Sequence, residues 1–181
     1  MTLPSANAVV SFWREAGPEK WFAKDEAFDA AILKRFGAVL EIAARGELWN
    51  WRGNALGRLA EIIVLDQFSR NVWRDTPRAF SQDGMALVLT QEIIALGLDK
   101  DFTEAQRSFA YMPLMHSESL MVQDESIRQF TALGNPINLD FAQRHRAIVQ
   151  RFGRYPHRNA VLGRESTPEE VAFLQTPGSS F

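Results

Sequence analysis

The chain has 181 residues, no cysteine and a net charge of −2, and 46% of its residues are apolar. This length is enough for one domain with a full core, and the composition excludes a disordered chain. A chain without cysteine can form no disulfide, zinc finger or iron–sulfur cluster. No local spacing of residues favours chelation either, so we expect no tightly bound metal and no cofactor. We predict a single helical domain over residues 1–181 with a short tail at 176–181.

The sequence also limits the partners. The longest apolar run is five residues, at 85–89, whereas a membrane span needs about 20. The first basic residue is Arg14, so the positive start of a secretory signal is missing and we expect a cytoplasmic protein. The charge is near neutral, and no extended strip interleaves basic with aromatic residues, so we expect no nucleic-acid partner. Nothing in the sequence fixes the oligomeric state.

Charge is unevenly distributed along the chain. Residues 91–140 hold three basic and eight acidic side chains, whereas residues 141–181 hold six basic side chains, all arginine, and three acidic ones. The planar fork of arginine binds carboxylates and phosphates through paired hydrogen bonds. The arginine-rich end therefore indicates either ion pairs with the acidic segment or a binding site for an anion.

Hydrophobic spacing predicts helices throughout, and no segment alternates convincingly with the period of a strand. The first half should contain four helices: a short one that holds Val9, Val10, Phe12 and Trp13, and longer ones over 25–45, 55–71 and 83–96. Gly46 and Gly97 follow two of them as stop signals.

In the second half, Thr103 and Gln106 have the spacing of a capping box for a helix to about Met112. Pro113 should then break or restart the helix, because proline removes a backbone donor. The following helix should run to Leu133.

Two more helices complete the pattern. Asn138 is the predicted cap of a helix over 139–152, and Thr167 is the predicted cap of the last one. The elements number about eight or nine and are joined by short segments, which favours antiparallel neighbours. The segment Ala-Leu-Gly ends helices at 95–97 and again at 132–134, a distance close to one helical hairpin. We predict an all-α fold of stacked antiparallel helical hairpins.

The helix over 55–71 is apolar on almost every side, yet it carries Asp66, Gln67, Arg70 and Asn71. Such a helix is normally buried, and a buried charge without a partner is costly. Asp66 and Arg70 are four residues apart and can pair with each other. These residues are either a buried ion pair that fixes helix register or the wall of a pocket.

All three histidines lie in the second half of the chain. His116 is predicted to share an apolar helical face with Leu120, and His145 to share one with Phe141, whereas His157 lies in a loop. Each is either a satisfied core residue or part of a site. General acid–base chemistry beside a carboxylate is reasonable for a histidine. Standard catalytic motifs are absent, however, so the sequence does not distinguish an enzyme from a binding protein.

Four segments resemble the signature blocks of the bacterial domain-of-unknown-function family 924: LDQFSRN at 65–71, FAYMPLMHSE at 109–118, FGRYPHRN at 152–159 and LGRESTPEE at 162–170. The resemblance covers about residues 9–174. It implies an all-helical, tetratricopeptide-like fold, in agreement with the periodicity. It implies no reaction and no catalytic residues.

We hypothesise that polar residues from these segments converge, together with His145, into one cluster. The cluster would bind a small polar or anionic ligand or lock the helix stack, and Arg158 should be buried and paired with Asp66 or Glu118. Its nine candidate members are Asp66, Arg70, Asn71, His116, Glu118, His145, His157, Arg158 and Asn159.

The alternative function is a helical-repeat scaffold that binds a peptide or protein in a concave groove. The polar cluster would then be structural. Apolar anchors for such a partner would come from the tryptophans, at positions 13, 21, 49, 51 and 73.

Overall fold

A computed structural model describes residues 3–180, and it confirms the all-α class: no strand occurs within this range. The α-helices are α1 (Ala6–Ala16), α2 (Pro18–Trp21), α3 (Glu26–Ala44), α4 (Ala55–Ile62), α5 (Ser69–Val72), α6 (Asp83–Ala95), α7 (Glu104–His116), α8 (Leu120–Leu133), α9 (Pro136–Phe152) and α10 (Pro168–Leu174). A π-helical turn, Ile63–Phe68, joins α4 to α5 in one continuous rod. Counting α4, the π turn and α5 as one helix, the described residues form nine separate helices, in agreement with the predicted eight or nine.

Contacts divide the chain into two compact units. Unit 1 contains the described residues up to Arg74 together with Arg78–Pro113, and unit 2 contains Asp75–Pro77 and the described residues from Leu114 onward. The single domain expected over residues 1–181 and the tetratricopeptide-like arrangement stay predictions.

Helix α3 provides the core stripe of unit 1. Its residues Phe28, Ile32, Phe36 and Leu40 recur at spacings of four and are buried, which confirms the predicted helix. The Asp25 side chain caps the start by accepting a hydrogen bond from the Phe28 amide at 3.0 Å. Gly46 follows the end of the helix with φ +73°, a conformation that favours glycine.

The predicted helix over 55–71 exists, but its centre is wider than an α-helix. All six residues of the π turn are buried. The Arg70 side chain donates a 2.8 Å hydrogen bond to the Asp66 backbone oxygen, so a side-chain donor serves a carbonyl of the widened turn. Such π turns are rare and frequently lie at functional sites.

Pro113 neither breaks nor restarts the helix, contrary to the prediction, because α7 continues through it to His116. Proline cannot donate to the preceding turn and disturbs the carbonyls there. The Thr90 hydroxyl donates a 2.8 Å hydrogen bond to one of these carbonyls, that of Ala110. The bond that Pro113 cannot make would go to the Phe109 carbonyl, four residues earlier. The Thr90 hydroxyl stabilises the neighbouring carbonyl of the same turn and ties α6 to α7.

Unit 2 is organised around the hairpin of α8 and α9, joined at Gly134 and Asn135. The predicted cap Asn138 is wrong: the side chain of Asn135 caps α9, accepting 3.0 Å hydrogen bonds from the amides of Ile137 and Asn138. Pro136 occupies the first helical position, where its missing N–H costs nothing. The helix therefore begins three residues earlier than expected.

The predicted capping box at Thr103 and the predicted cap at Thr167 are both confirmed. The Thr103 amide donates to the Gln106 side chain at 2.9 Å, and the Gln106 amide donates to the Thr103 hydroxyl at 3.3 Å. The same reciprocal pair joins Thr167 and Glu170 at the start of α10, at 2.8 and 3.2 Å. Each box satisfies two amides that a helix start leaves without partners.

Candidate functional site

The predicted ion pair between Asp66 and Arg70 is confirmed, with 3.0 Å between Asp66 Oδ1 and Arg70 Nη1. Asp66 is fully buried. The guanidinium of Arg70 also donates two 2.9 Å hydrogen bonds to the carboxylate of Asp83, at the start of α6. Gln67 donates to the second Asp66 oxygen at 2.6 Å. One arginine therefore joins the π turn to α6 through two carboxylates.

Asn71 belongs to a second network of unit 1. Its amide donates to Asp29 Oδ1 at 2.7 Å, and Arg74 donates to Asp29 Oδ2 at 2.5 Å. Arg74 also donates to the Ala23 carbonyl at 3.3 Å. These bonds tie the end of α5 to the start of α3, so this network holds helix against helix.

Glu118 lies in the short link between α7 and α8 of unit 2. The guanidinium of Arg164 donates hydrogen bonds of 2.7 and 2.9 Å to its two carboxylate oxygens. The Tyr155 amide donates to the same carboxylate at 2.8 Å. Burial works to raise the pKa of Glu118. The Arg164 and Tyr155 hydrogen bonds and the charges of Arg164 and Arg158 outweigh burial and hold that pKa below its usual value.

Asn159 is fully buried and connects the loop after α9 to α10. Its oxygen accepts a 3.0 Å hydrogen bond from Arg164, and its amide donates to the Ser166 hydroxyl at 3.0 Å. Glu170 is in turn held by Arg154 through bonds of 2.7 and 2.8 Å. The loop is therefore fastened by paired carboxylates and guanidinium groups.

The three histidines come together in unit 2: His145 and His157 flank Tyr155, and His116 lies next to His145. The ring centres of His116 and His145 are 6.3 Å apart, those of His145 and Tyr155 are 5.7 Å apart, and those of Tyr155 and His157 are 5.6 Å apart. The guanidinium of Arg158 lies over the Tyr155 ring at 4.6 Å. We call His116, His145, His157 and Arg158 the histidine cluster. His145 and Arg158 are buried, and His116 and His157 are half-buried.

The environment of His145 fixes its chemical form. Burial, followed by the charges of His116, Arg158 and His157, lowers the pKa of His145 to about 3, although its bond to Phe141 opposes the shift. The ring is therefore neutral near pH 7. Its Nδ1 lies 2.8 Å from the Phe141 carbonyl oxygen, which can only accept, so Nδ1 carries the proton. Nε2 then carries the lone pair.

The nine candidate residues divide between the two units. Asp66, Arg70 and Asn71 belong to unit 1, and the other six belong to unit 2. Their convergence into one cluster stays a prediction, as does the pairing of Arg158 with Asp66 or Glu118. His116 does not share a helix with Leu120, as the spacing suggested, because α7 ends at His116 and α8 begins at Leu120.

Sequence reasoning missed several residues of these networks. Arg154, Tyr155, Arg164 and Glu170 hold the loop, and Gln123 bonds to the Tyr155 hydroxyl at 2.8 Å. The concentration of arginines after residue 140 was the available signal, since paired guanidinium groups were one of its two explanations. It could not indicate which carboxylate each arginine holds.

Within residues 3–180, no group of three or more histidines and carboxylates is close enough to hold a metal ion. No helix in that range is long and apolar enough to cross a bilayer. A surface groove between α8 and α9 is lined by Asp124, Ile127, Gln143, Arg146, Ala147 and Gln150, none of which is a candidate residue. Among the tryptophans, Trp13 is buried and Trp49 is 71% exposed.

The comparisons with known proteins agree with this fold. No curated protein matches the sequence. A solved structure of a protein of unknown function from Agrobacterium tumefaciens is 42% identical, with 94% of this chain and 96% of that chain covered and a TM-score of 0.90. A family model described as bacterial protein of unknown function (DUF924) matches residues 9–178. The match spans most of the chain, and the protein therefore belongs to the DUF924 family.

Proposed function

We propose that unit 2 binds a small anion, such as a phosphate or carboxylate group, at the histidine cluster. The observation that carries this proposal is the run of neighbouring rings His116, His145, Tyr155 and His157, with Arg158 over the ring of Tyr155. Imidazolium and guanidinium groups are the usual partners of oxyanions in proteins.

The electrostatics of the cluster support an anionic ligand. The charges of His116, Arg158 and His157 all disfavour protonation of His145, so groups that can carry positive charge are crowded together. An anion placed among them stabilises the cationic forms of His116, His157 and Arg158. His116 and His157 are half-buried, so the anion can reach them from solvent. Because binding then favours protonated histidine, we expect tighter binding at pH 6 than at pH 8.

The surrounding network supports a site that is rigid before the anion arrives. Glu118 is held by Arg164, and Glu170 is held by Arg154. These pairs fasten the loop that carries His157 and Arg158, so the side chains need little rearrangement on binding. Preorganised groups give more affinity, because ordering them costs nothing at the moment of binding.

Isothermal titration calorimetry with inorganic phosphate, sulfate and malonate at pH 6 tests the proposal. We expect saturable binding of at least one of these anions, and roughly tenfold weaker binding to Arg158→Gln, the equivalent of about 1.4 kcal/mol for a lost charged hydrogen bond. Arg146→Gln is the matched control, since Arg146 is on α9 of the same unit and pairs with Asp124 at 2.7 Å. Absence of binding to the wild-type protein, or equal affinity in both variants, would overturn the proposal.

A further inference from the structure

Gln123 on α8 closes the end of α7. Its amide nitrogen lies 2.8 Å from the Met115 carbonyl, 2.7 Å from the Ser117 carbonyl and 2.8 Å from the Tyr155 hydroxyl. Two amide hydrogens therefore serve three close acceptors at the place where α7 stops. The last carbonyl groups of an α-helix have no backbone N–H partner within the helix, so a side-chain donor stabilises them.

The same bonds fix which way the amide of Gln123 faces. A flipped amide would set its oxygen against two carbonyl oxygens, and that arrangement is repulsive. The oxygen Oε1 is therefore turned away from the end of α7. Gln123 is fully buried, and Oε1 has no hydrogen-bond partner among the described residues. A buried acceptor left in this state destabilises the fold.

Ser126 follows one helical turn later. It is also fully buried, and its hydroxyl likewise lacks a partner within residues 3–180. Residues three apart lie on the same helix face, with Cβ atoms roughly 5–6 Å apart. Two residues with an unsatisfied polar atom thus share one face of α8 inside unit 2, one atom an acceptor and the other both donor and acceptor.

We propose that Gln123 and Ser126 hold one internal water molecule inside unit 2. The water donates a hydrogen bond to Gln123 Oε1 and accepts one from the Ser126 hydroxyl. Buried waters in proteins typically satisfy two to four such polar groups. Because both side chains are fully buried, this water would not exchange contacts with bulk solvent at the surface. The water completes the polar layer that joins α7, α8 and Tyr155.

A high-resolution crystal structure of the full chain tests this proposal directly. We expect an ordered water within hydrogen-bond distance of both Gln123 Oε1 and Ser126 Oγ, in crystals grown without added phosphate. A dry site with both atoms unpartnered would overturn the proposal, as would a bond between the two side chains themselves. This result does not depend on whether the histidine cluster binds an anion.

Urea denaturation of Ser126→Ala provides a second test through its sign. If the serine holds a water, the substitution removes a hydrogen bond, and we expect a roughly three- to tenfold smaller folding constant. If the site is dry, removing an unsatisfied hydroxyl leaves the folding constant unchanged or increases it, which would contradict the proposal. Ser119→Ala is the control, because Ser119 is exposed and its side chain makes no capping bond.

Discussion

Replacing Arg70 with alanine should destabilise the protein strongly. The substitution removes the positive charge 3.0 Å from Asp66, which is fully buried, and the donor to the Asp66 backbone oxygen. It also removes both 2.9 Å bonds to Asp83, whose side chain is 20% exposed. Four acceptor oxygens of unit 1, two of them on the fully buried Asp66, therefore lose a charged donor.

The size of the effect follows from burial. Removing one partner of a buried ion pair typically costs about 3–5 kcal/mol, because the other charge stays in the interior. We expect Arg70→Ala to reduce the free energy of unfolding by this amount, mostly through Asp66. Arg144→Ala is the control: Arg144 pairs with Asp140 at the same four-residue spacing, but their side chains are 59% and 51% exposed. An exposed pair contributes only about 0–1 kcal/mol.

Urea denaturation followed by circular dichroism measures both variants. The double variants that combine Arg70→Ala with Asp66→Asn or Asp83→Asn should show non-additive effects, since the residues share one network. The interaction energy should be larger with Asp66, the more deeply buried carboxylate. An Arg70→Ala cost no larger than that of Arg144→Ala, together with additive doubles, would show that burial of Asp66 does not set the stability contribution of Arg70.

Three further predictions concern single residues. A Cβ added to Gly57 would lie 1.9 Å from the Trp51 carbonyl oxygen, so Gly57→Ala should lower the melting temperature sharply in a calorimetric scan, because helix and turn must separate. Hydrogen bonds from Arg154 lower the pKa of Glu170 to about 2 in the folded protein. The ionised Glu170 therefore stabilises the fold above the pKa of the unfolded chain, and this contribution is lost as the pH falls from about 4.5 towards 2. Glu170→Gln should flatten the acid side of a plot of unfolding free energy against pH. His145, with a pKa of about 3, should stay neutral and protonated on Nδ1 from pH 7 to pH 4 in ¹⁵N NMR spectra.

Each of these has an outcome that would contradict it. Gly53 has no atom near its Cβ direction, so a Gly53→Ala variant as unstable as Gly57→Ala would remove the steric explanation. Glu169 pairs with Arg151 on the surface, and Glu169→Gln should leave the acid profile unchanged. An imidazolium signal from His145 at pH 5 would contradict the burial and charge argument for that ring.

Local chemistry made much of the fold predictable. Gly46 and Gly134 end helices because their positive φ values suit glycine. The Asp66–Arg70 pair could be predicted because spacing of four along a helix and the cost of a lone buried charge both favour it. In each case the deciding residues are close in the sequence.

The rest depended on partners that are distant in sequence or on competition between neighbours. The hydrophobic pattern does not indicate the π turn. A helix that is apolar on all sides has no polar stripe whose position would shift when one turn widens. The Thr90 hydroxyl of α6 bonds to the Ala110 carbonyl of α7, in the turn that precedes Pro113, and these two residues are 20 positions apart. Asn135 caps α9 instead of the predicted Asn138, and Pro136 suits the first helical position of this earlier start. Arg164 holds Glu118 across 46 positions, which no local pattern indicates.

An NMR titration of the uniformly ¹⁵N-labelled protein with inorganic phosphate at pH 6 tests the proposed function most directly. If the histidine cluster binds anions, the imidazole signals of His116 and His157 and the guanidinium signal of Arg158 should shift together and saturate with one affinity. The signal of Arg144, exposed on α9, should move little. Uniform, non-saturating shifts across all arginines, or no shift at the histidines, would contradict an anion site in unit 2.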